Sequence, residues 1–569
     1  MKKECKHQGI RFKQYLACLL VSALLITGCS TESGSANASK PQAVPSAEAD
    51  SSVTPASSSG SPEEPVTVRI ATYTIQDPAK AYLTEYIEKE LGIILDWQVY
   101  SRDSFSTQFS LMLATGDLPD LFVGSNISKQ DINKYGADGY LLDMTAYLEY
   151  MPNLSSLIEN YPLWAAYQKD EGGAIYGLSR LFPSRIGLAT GMGTFINKEW
   201  LENVGMDIPS TVDELYAVLK AFKEKDANGN GDPNDEIPLG IQLGSSGRGT
   251  RFEWMLLSAF GFYTNNPEMT FHLDDSGSVR LVQQEDSYRE YLKFLNKLYE
   301  EGLMEPSAFI ITDEERIDKT ANDKYGVFCD WAGLTTAIGG KYDGNPYEKY
   351  AYISALTSEY NDRLMFGMGN CGYAGDSRTY INADTDHPEE IARLIDFFLS
   401  PEGTTIADYG KESETFAYIE DTYGNRLPSF INGYTADTVR LDEAFKLIRT
   451  TDVNSIVEAA ADDILDRMIY EDDTFTYTAS AAIEKELRKM DELIPPFPDL
   501  TFSGEDSNTY STLSGDVTNI IKTYKSSFIL GEMDIDTNWQ KFQSDMETAG
   551  LAQMLTIVTE AYKTFMANQ

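Results

Sequence analysis

Val66-Thr67-Val68-Arg69-Ile70-Ala71 alternates at period two and reads as a half-buried strand. Pro78 to Leu91 carries a helical pattern, and Ile93-Ile94-Leu95-Asp96-Trp97 reads as a second strand. Strand, helix, strand in that order predicts a parallel sheet with crossover helices, because parallel neighbours need a long connection to return the chain to the same edge. The pattern continues, with Phe105 to Thr115 as another helix and Leu118-Pro119-Asp120-Leu121-Phe122-Val123 as a third strand ending at Gly124-Ser125-Asn126. In open α/β sheets, ligands sit beyond the carboxyl ends of such strands. That makes Tyr73, Asp77 and Asn126 candidate ligand contacts.

Upstream of this sheet the chain has a different character. Lys2, Lys3, Lys6, Arg11 and Lys13 precede an apolar run from Tyr15 to Ile26, the layout of a secretory signal. The run is 12 residues long, whereas crossing a bilayer takes about 20. It ends in Leu24-Leu25-Ile26-Thr27-Gly28-Cys29, where Ile26 to Cys29 looks like a bacterial lipobox with Cys29 as the residue to be acylated. Ser30 to Pro65 contains 26 Ser, Ala, Thr, Pro or Gly in 36 residues and no Ile, Leu or aromatic. Such a composition buries too little surface to offset its ordering entropy. As a random coil it spans roughly 35 Å. The sequence therefore predicts a signal peptide at 1–28 and a lipid-anchored disordered stalk at 29–65, with the folded chain held at the outer face of a cell membrane.

Removing residues 1–28 leaves 541 residues with 41 basic and 87 acidic side chains, a formal charge of −46. That field repels nucleic acid and excludes it as a partner. The 34 tyrosines and 42% hydrophobic content mark a globular chain large enough for two or more lobes. Beyond the signal and Cys29, only Cys329 and Cys371 remain, so no thiolate metal centre is available. Cys329, inside Val327-Phe328-Cys329, reads as a small buried residue, and a bridge to Cys371 is a minor alternative outside the cell.

Further along, Thr211 with Glu214 forms a capping box opening a helix from Val212 to Lys225. It runs into Asp226-Ala227-Asn228-Gly229-Asn230-Gly231-Asp232-Pro233-Asn234-Asp235-Glu236. Oxygen ligands at positions one, three and five with Gly at six is the layout of a hard-cation loop. Position twelve is Ile237 and Pro238 follows, so this is no paired EF-hand. The alternative is a plain Asn/Gly/Asp turn; the carboxylate density favours calcium in a structural role. Tyr288, Tyr291, Leu292, Leu295, Leu298 and Tyr299 keep helical spacing up to Gly302. Tyr325 to Gly333 reads as a buried strand delivering Trp331 to a turn, Ala351 to Leu356 as another strand, and His387 to Leu399 as a helix. Leu441 to Gln569 reads as mostly helical, ending in the stripe Leu551, Met554, Ile557, Val558, Tyr562 and Phe565.

Together Gly116-Asp117-Leu118-Pro119-Asp120, Phe195–Gly205, Asp226–Pro238, Tyr288–Pro306, His387–Gly403 and Ile529–Phe565 resemble the family 1 extracellular solute-binding lipoproteins of ABC importers. That group contains the maltose-binding and alginate-binding proteins. The resemblance implies a two-lobed, periplasmic-binding-protein-like (type II) α/β clamp with hinge strands, a helical C-terminal region and a sugar in the cleft. By analogy, lobe I takes 66–185 and 357–410, and lobe II takes 186–356 and 411–569. It implies calcium ligands at Asp226, Asn228, Asn230, the Asp232 carbonyl, Asp235 and Glu236, with Asn234 an alternative to Asp235. It also implies sugar-stacking roles for Trp331 and, more loosely, Trp254. Flat aromatics suit the apolar C–H faces of sugar rings.

The expected function is non-catalytic capture of a carbohydrate, an oligosaccharide, by a monomer that delivers it to an ABC permease. The competing reading is a surface glycosidase or lyase. Against it, the mature chain has only His272 and His387, no Gly-x-Ser-x-Gly elbow and no His-Glu-x-x-His. A third reading keeps the clamp but makes it report to a membrane sensor.

Overall fold

The computed structural model describes residues 65–73, 78–101, 104–125, 127–181, 192–232, 234–244, 250–264, 266–331, 349–353, 355–367, 374–420, 426–434, 490, 492–494, 497–502 and 504–568. Cys29, the stalk, Asp77, Asn126 and Cys371 lie outside them.

Five strands make the first sheet: β1 (Val66–Tyr73), β2 (Ile93–Tyr100), β3 (Leu121–Val123), β4 (Leu178–Leu181) and, much later in the chain, β12 (Ala374–Ile381). Their order is β2-β1-β3-β12-β4. The first three are parallel, β12 runs antiparallel to β3, and β4 antiparallel to β12. The crossover helices are α1 (Tyr82–Leu91) and α2 (Phe105–Thr115). Alternation along the strands decides which face each side chain covers. Val68, Ile70, Leu121, Val123 and Ile381 enter one core, whereas Ala71, Tyr73, Phe122 and Tyr380 enter a second on the opposite face. β3 is shorter than its apolar pattern suggests. Asp120, just before it, still bonds both neighbouring segments through its backbone, and its carboxylate accepts from Arg69 N (2.8 Å) and Thr385 Oγ1 (2.9 Å).

The second sheet has the order β10-β5-β9-β6, from β5 (Met192–Asn197), β6 (Ile237–Gly240), β9 (Tyr325–Trp331) and β10 (Tyr350–Ile353). β6 and β9 are parallel, and β5 is antiparallel to β9 and β10. Gly193 on β5 is required by packing, since a Cβ there would fall 1.8 Å from the Tyr352 ring. A hairpin, β7 (Phe271–Leu273) with β8 (Val279–Leu281), stands apart from this sheet. Helices α6 (Lys198–Val204) and α7 (Val212–Glu224) bring Trp200 and Phe222 edge to face, 5.3 Å apart. Half of the expected capping box is present, with Glu214 N donating to Thr211 Oγ1. The Glu214 carboxylate instead accepts from Ser210 N and Oγ.

The same core takes in α8 (Arg251–Ala259), α9 (Asp286–Glu300) and the C-terminal helices α13 (Gly504–Ile529), α14 (Ile535–Thr548) and α15 (Leu551–Ala567). A further helix, α10 (Asp313–Ala321), precedes β9. The last turn of α15 crosses to the first lobe. Phe565 joins that core, Lys169 Nζ donates to the Asn568 carbonyl, and Asn568 Nδ2 donates to the Asp170 carbonyl. Cys329 is buried, its Sγ 3.2 Å from Thr194 Oγ1.

Two expected boundaries move. Residues 357–361 belong with the second lobe, because Val212 N donates to the Thr357 carbonyl, Ser358 Oγ to Ala259 O and Asn361 Nδ2 to Ser258 O. β11 (Met365–Gly367) then pairs in parallel with β15 (Glu492–Ile494). The hairpin β13 (Phe416–Glu420) with β14 (Arg426–Phe430) packs on the first lobe. Phe430 stacks on Tyr409 of α12 (Pro401–Tyr409), which follows α11 (Pro388–Leu399).

Gly326 sits under the Trp200–Phe222 pair, where a Cβ would come within 2.4 Å of the Phe222 ring. Gly326→Ala is expected to lose about 1–3 kcal/mol by overpacking. The loss should shrink when Phe222 is also changed to Leu, because the two positions share one space. Urea unfolding of the two singles and the double checks this; additive losses would contradict it.

Candidate functional site

The connectivity defines one edge of each sheet. β1, β2, β3 and β4 all point their carboxyl ends the same way, and antiparallel β12 begins at that edge. From Leu181 at this edge the chain passes to Met192, the first residue of β5. In the second sheet β5 opposes β6, β9 and β10, so its start lies at their carboxyl ends. The return passage, from Ile353 through β11 to Ala374, likewise leaves a carboxyl edge and arrives at one. Both passages therefore join carboxyl edge to carboxyl edge, where helix starts and loops of an α/β sheet gather to meet a ligand.

The expected ligand residues distribute unevenly over these edges. Tyr73 ends β1, but its ring is only 7% exposed and packs edge-on against Phe105 at 5.8 Å. At the β3 exit, Ser125 Oγ pairs with Tyr380 OH (2.6 Å) and accepts from Ile127 N. Trp331 is the last residue of β9, opposite Met192, and so lies at the carboxyl edge of the second sheet. Its side chain lies outside the described residues. Trp254 is half-buried in α8, its ring perpendicular to Tyr263 at 6.4 Å. A shallow hollow where α15 meets Lys129, Lys169 and Asp170 contains none of these residues.

Next to Trp254 is a feature the sequence reading passed over. Glu253 is 1% exposed and pairs with Lys525 of α13, itself 4% exposed, at 2.5 Å. Tyr291 of α9 donates its hydroxyl to Glu253 Oε1 at 2.6 Å. Burial, with the Glu253 charge adding, pushes that hydroxyl's pKa far up, so it remains a donor. The signal was present. Glu253 shares the helical stripe of Leu256, Leu257 and Phe260, and Lys525 that of Ile521, Phe528 and Ile529, all buried. A charge inside an apolar stripe calls for a partner of opposite sign. The pair locks the helix that carries Trp254 to the C-terminal helices.

Among the described residues no three His, Cys, Asp or Glu side chains cluster as a metal centre. A site in the Asp226–Glu236 loop therefore depends on amide and carbonyl oxygens as well. The loop is closely knit. Asp226 accepts from Asn230 N (3.0 Å) and Gly231 N (2.8 Å), and Asp232 N donates to Asn230 Oδ1 (2.8 Å). Asn228 and Asn230 each donate an amide to Asp235 at 2.9 Å, and Lys324 ion-pairs with the same carboxylate. Lys324 holds the Asp235 carboxyl below its usual range. Asn234 turns instead to Asp232. Glu236 is 3% exposed; its Oε1 accepts from Ala227 N, whereas Oε2 is buried with no hydrogen-bond partner, and burial raises its pKa.

No helix among the described residues is long and apolar enough to cross a membrane. The family model for bacterial extracellular solute-binding protein matches residues 70–405, more than half of the chain. The chain belongs to that family. The fructooligosaccharide ABC transporter substrate-binding protein FusA of Streptococcus pneumoniae serotype 4 is 26% identical over 507 residues, 87% of this chain and 89% of that one. Lipoprotein LipO of Bacillus subtilis is 28% identical over 332 residues, 58% of each chain. Among solved structures, FusA in complex with kestose superposes with a TM-score of 0.67 at 24% identity, over 88% of this chain and 100% of that one. A FusA EF-hand mutant in complex with fructo-nystose gives the same values. An extracellular solute-binding protein from Bifidobacterium longum subsp. infantis reaches 0.71 at 20% identity, over 88% and 98%. These solute-binding neighbours share the two-lobed α/β clamp expected from the sequence.

Lys525→Met leaves Glu253 buried without its cation and is expected to lose about 3–5 kcal/mol. Pairing it with Glu253→Gln should recover most of that loss, since the glutamine keeps an acceptor for Tyr291. Chemical denaturation reads both; a double variant no more stable than the single would contradict the pairing.

Proposed function

We propose that this family member is a lipid-anchored capture protein that binds an oligosaccharide between its lobes and hands it, chemically unchanged, to an ABC permease. The observation that carries this reading is the edge-to-edge connectivity. Two sheets linked by two passages at the carboxyl ends of their parallel strands can swing about those joints and close on a ligand placed there. The substrate class is suggested by FusA, whose name and structures specify fructooligosaccharide, kestose and fructo-nystose. Trp331, the last residue of β9, and Trp254, on the first helix after β6, are the proposed stacking residues. Tyr73, packed on Phe105 at the end of β1, Asp77 and Asn126 are proposed further contacts. Closure, not covalent chemistry, would mark the loaded state for the permease. Lipid on Cys29 would hold the monomer at the outer face of the membrane.

The calcium reading belongs to the same proposal. Asp226, Asn228, Asn230, the Asp232 carbonyl, Asp235 and Glu236 would hold the ion. Two observations support that set. The orphaned, buried Glu236 Oε2 lacks a cation or donor, and Asp235, not Asn234, faces the two asparagines. A bound calcium would neutralise carboxylates at the junction of α7 and β6 and so fasten that helix to the sheet.

The test is a calorimetric titration of the chain with kestose and fructo-nystose, with chromatography of the sugar afterwards. The expected result is saturable one-to-one binding with the sugar recovered intact. Cleaved product would overturn the capture reading, and absence of binding would overturn the substrate class. Chelator is expected to lower the melting temperature while leaving sugar binding measurable; an unchanged melting temperature would contradict the ion.

A further inference from the structure

Resting on the calcium reading above, we propose that Lys324 is a built-in competitor for the ion, a tethered cation that occupies Asp235 and sets calcium affinity low. Its position is fixed by its backbone. Lys324 N donates to the Lys319 carbonyl at 3.0 Å, and the Lys324 carbonyl accepts from Ile237 N at 2.9 Å, the residue directly after the loop. The side chain thus starts beside Glu236, between the end of α10 and the start of β9. Its ammonium pairs with Asp235 Oδ2, the oxygen that also accepts from Asn230 Nδ2. Lys225, adjacent in sequence to Asp226, does not share this task, because its ammonium donates to the Val204 carbonyl at 2.7 Å.

A divalent ion that takes Asp235 must displace this ammonium or sit close to it. The first loses an ion pair, and the second adds like-charge repulsion. Both weaken binding. The same contact has a converse effect without calcium, since the ammonium offsets negative charge in a loop bearing Asp226, Asp232, Asp235 and Glu236. Lys324 therefore makes the loop less dependent on the ion and the ion easier to lose. An affinity tuned in this way suits a surface protein bathed in abundant calcium, where extracellular modules bind in the weak range of roughly 10⁻⁴–10⁻³ M.

The experiment is calorimetric titration of calcium into chelator-stripped wild type, Lys324→Met, Lys324→Gln and Lys324→Arg, with melting temperatures recorded in chelator and in calcium. Met and Gln variants are expected to bind calcium threefold or more tighter than wild type. They should also melt lower in chelator, with the deficit shrinking in calcium. The Arg variant keeps the charge and should stay within threefold of wild type. Met and Gln affinities less than threefold tighter, or an Arg variant tightened as much as they are, would overturn the proposal while leaving the calcium site standing. Calcium binding by none of the four proteins would instead remove the site itself, and the proposal with it.

Discussion

Two of the chain's passages between its sheets run where parallel strands end, and that constraint governs most of what the molecule can do. A parallel sheet collects loops and helix starts at its carboxyl edge. Here the passage from Leu181 to Met192 and the return to Ala374 also attach there. The loops best placed to touch a ligand are therefore next to the segments that link the two lobes. Antiparallel β12, entering between β3 and β4, ties the returning chain into the middle of the first sheet rather than its margin. A force on that passage is borne by the central ladder. The C-terminal helices add a further link, since α15 packs mainly in the second core but ends on Phe565 in the first.

Charge is placed with the same economy in a chain whose formal net charge is −42. Most of its carboxylates face water, where pairing contributes little. The informative ones are buried. Glu253 meets Lys525 and Tyr291 in the interior of the second lobe, joining the Trp254 helix to α9 and α13. Arg316, fully buried on α10, donates to the Cys329 carbonyl at 2.7 Å and lies 4.0 Å from Asp330, just before Trp331. Glu305 gathers Ser307, Lys319 and Tyr325 at the opposite end of β9. Buried ionic groups are costly unless satisfied. Their concentration around α8 and β9 fixes the two elements that carry the candidate tryptophans.

Much of this architecture was legible in the sequence, and the reasons are local. Alternation of apolar residues set β1 and β2, helical spacing set α9 and α15, and Gly302 ended α9 with φ +65. The Asp226–Glu236 loop declared itself through residue types that leave few other structures open. What could not be read depended on partners far away in the chain. Asp120, just before β3, is held by Thr385, 265 residues on. The transfer of residues 357–361 to the second lobe follows from bonds to Val212, Ser258 and Ala259. Tyr73 looked like a strand-end contact by position, yet Phe105 draws its ring into the core.

The central claim is that two lobes, linked at their carboxyl edges, close on a sugar without altering it. Small-angle X-ray scattering of the chain during titration with an oligosaccharide it binds tests that most directly. A closing clamp gives a radius of gyration that falls to a plateau at one equivalent and returns when the sugar is dialysed away. A scattering curve that stays the same at saturation would contradict it.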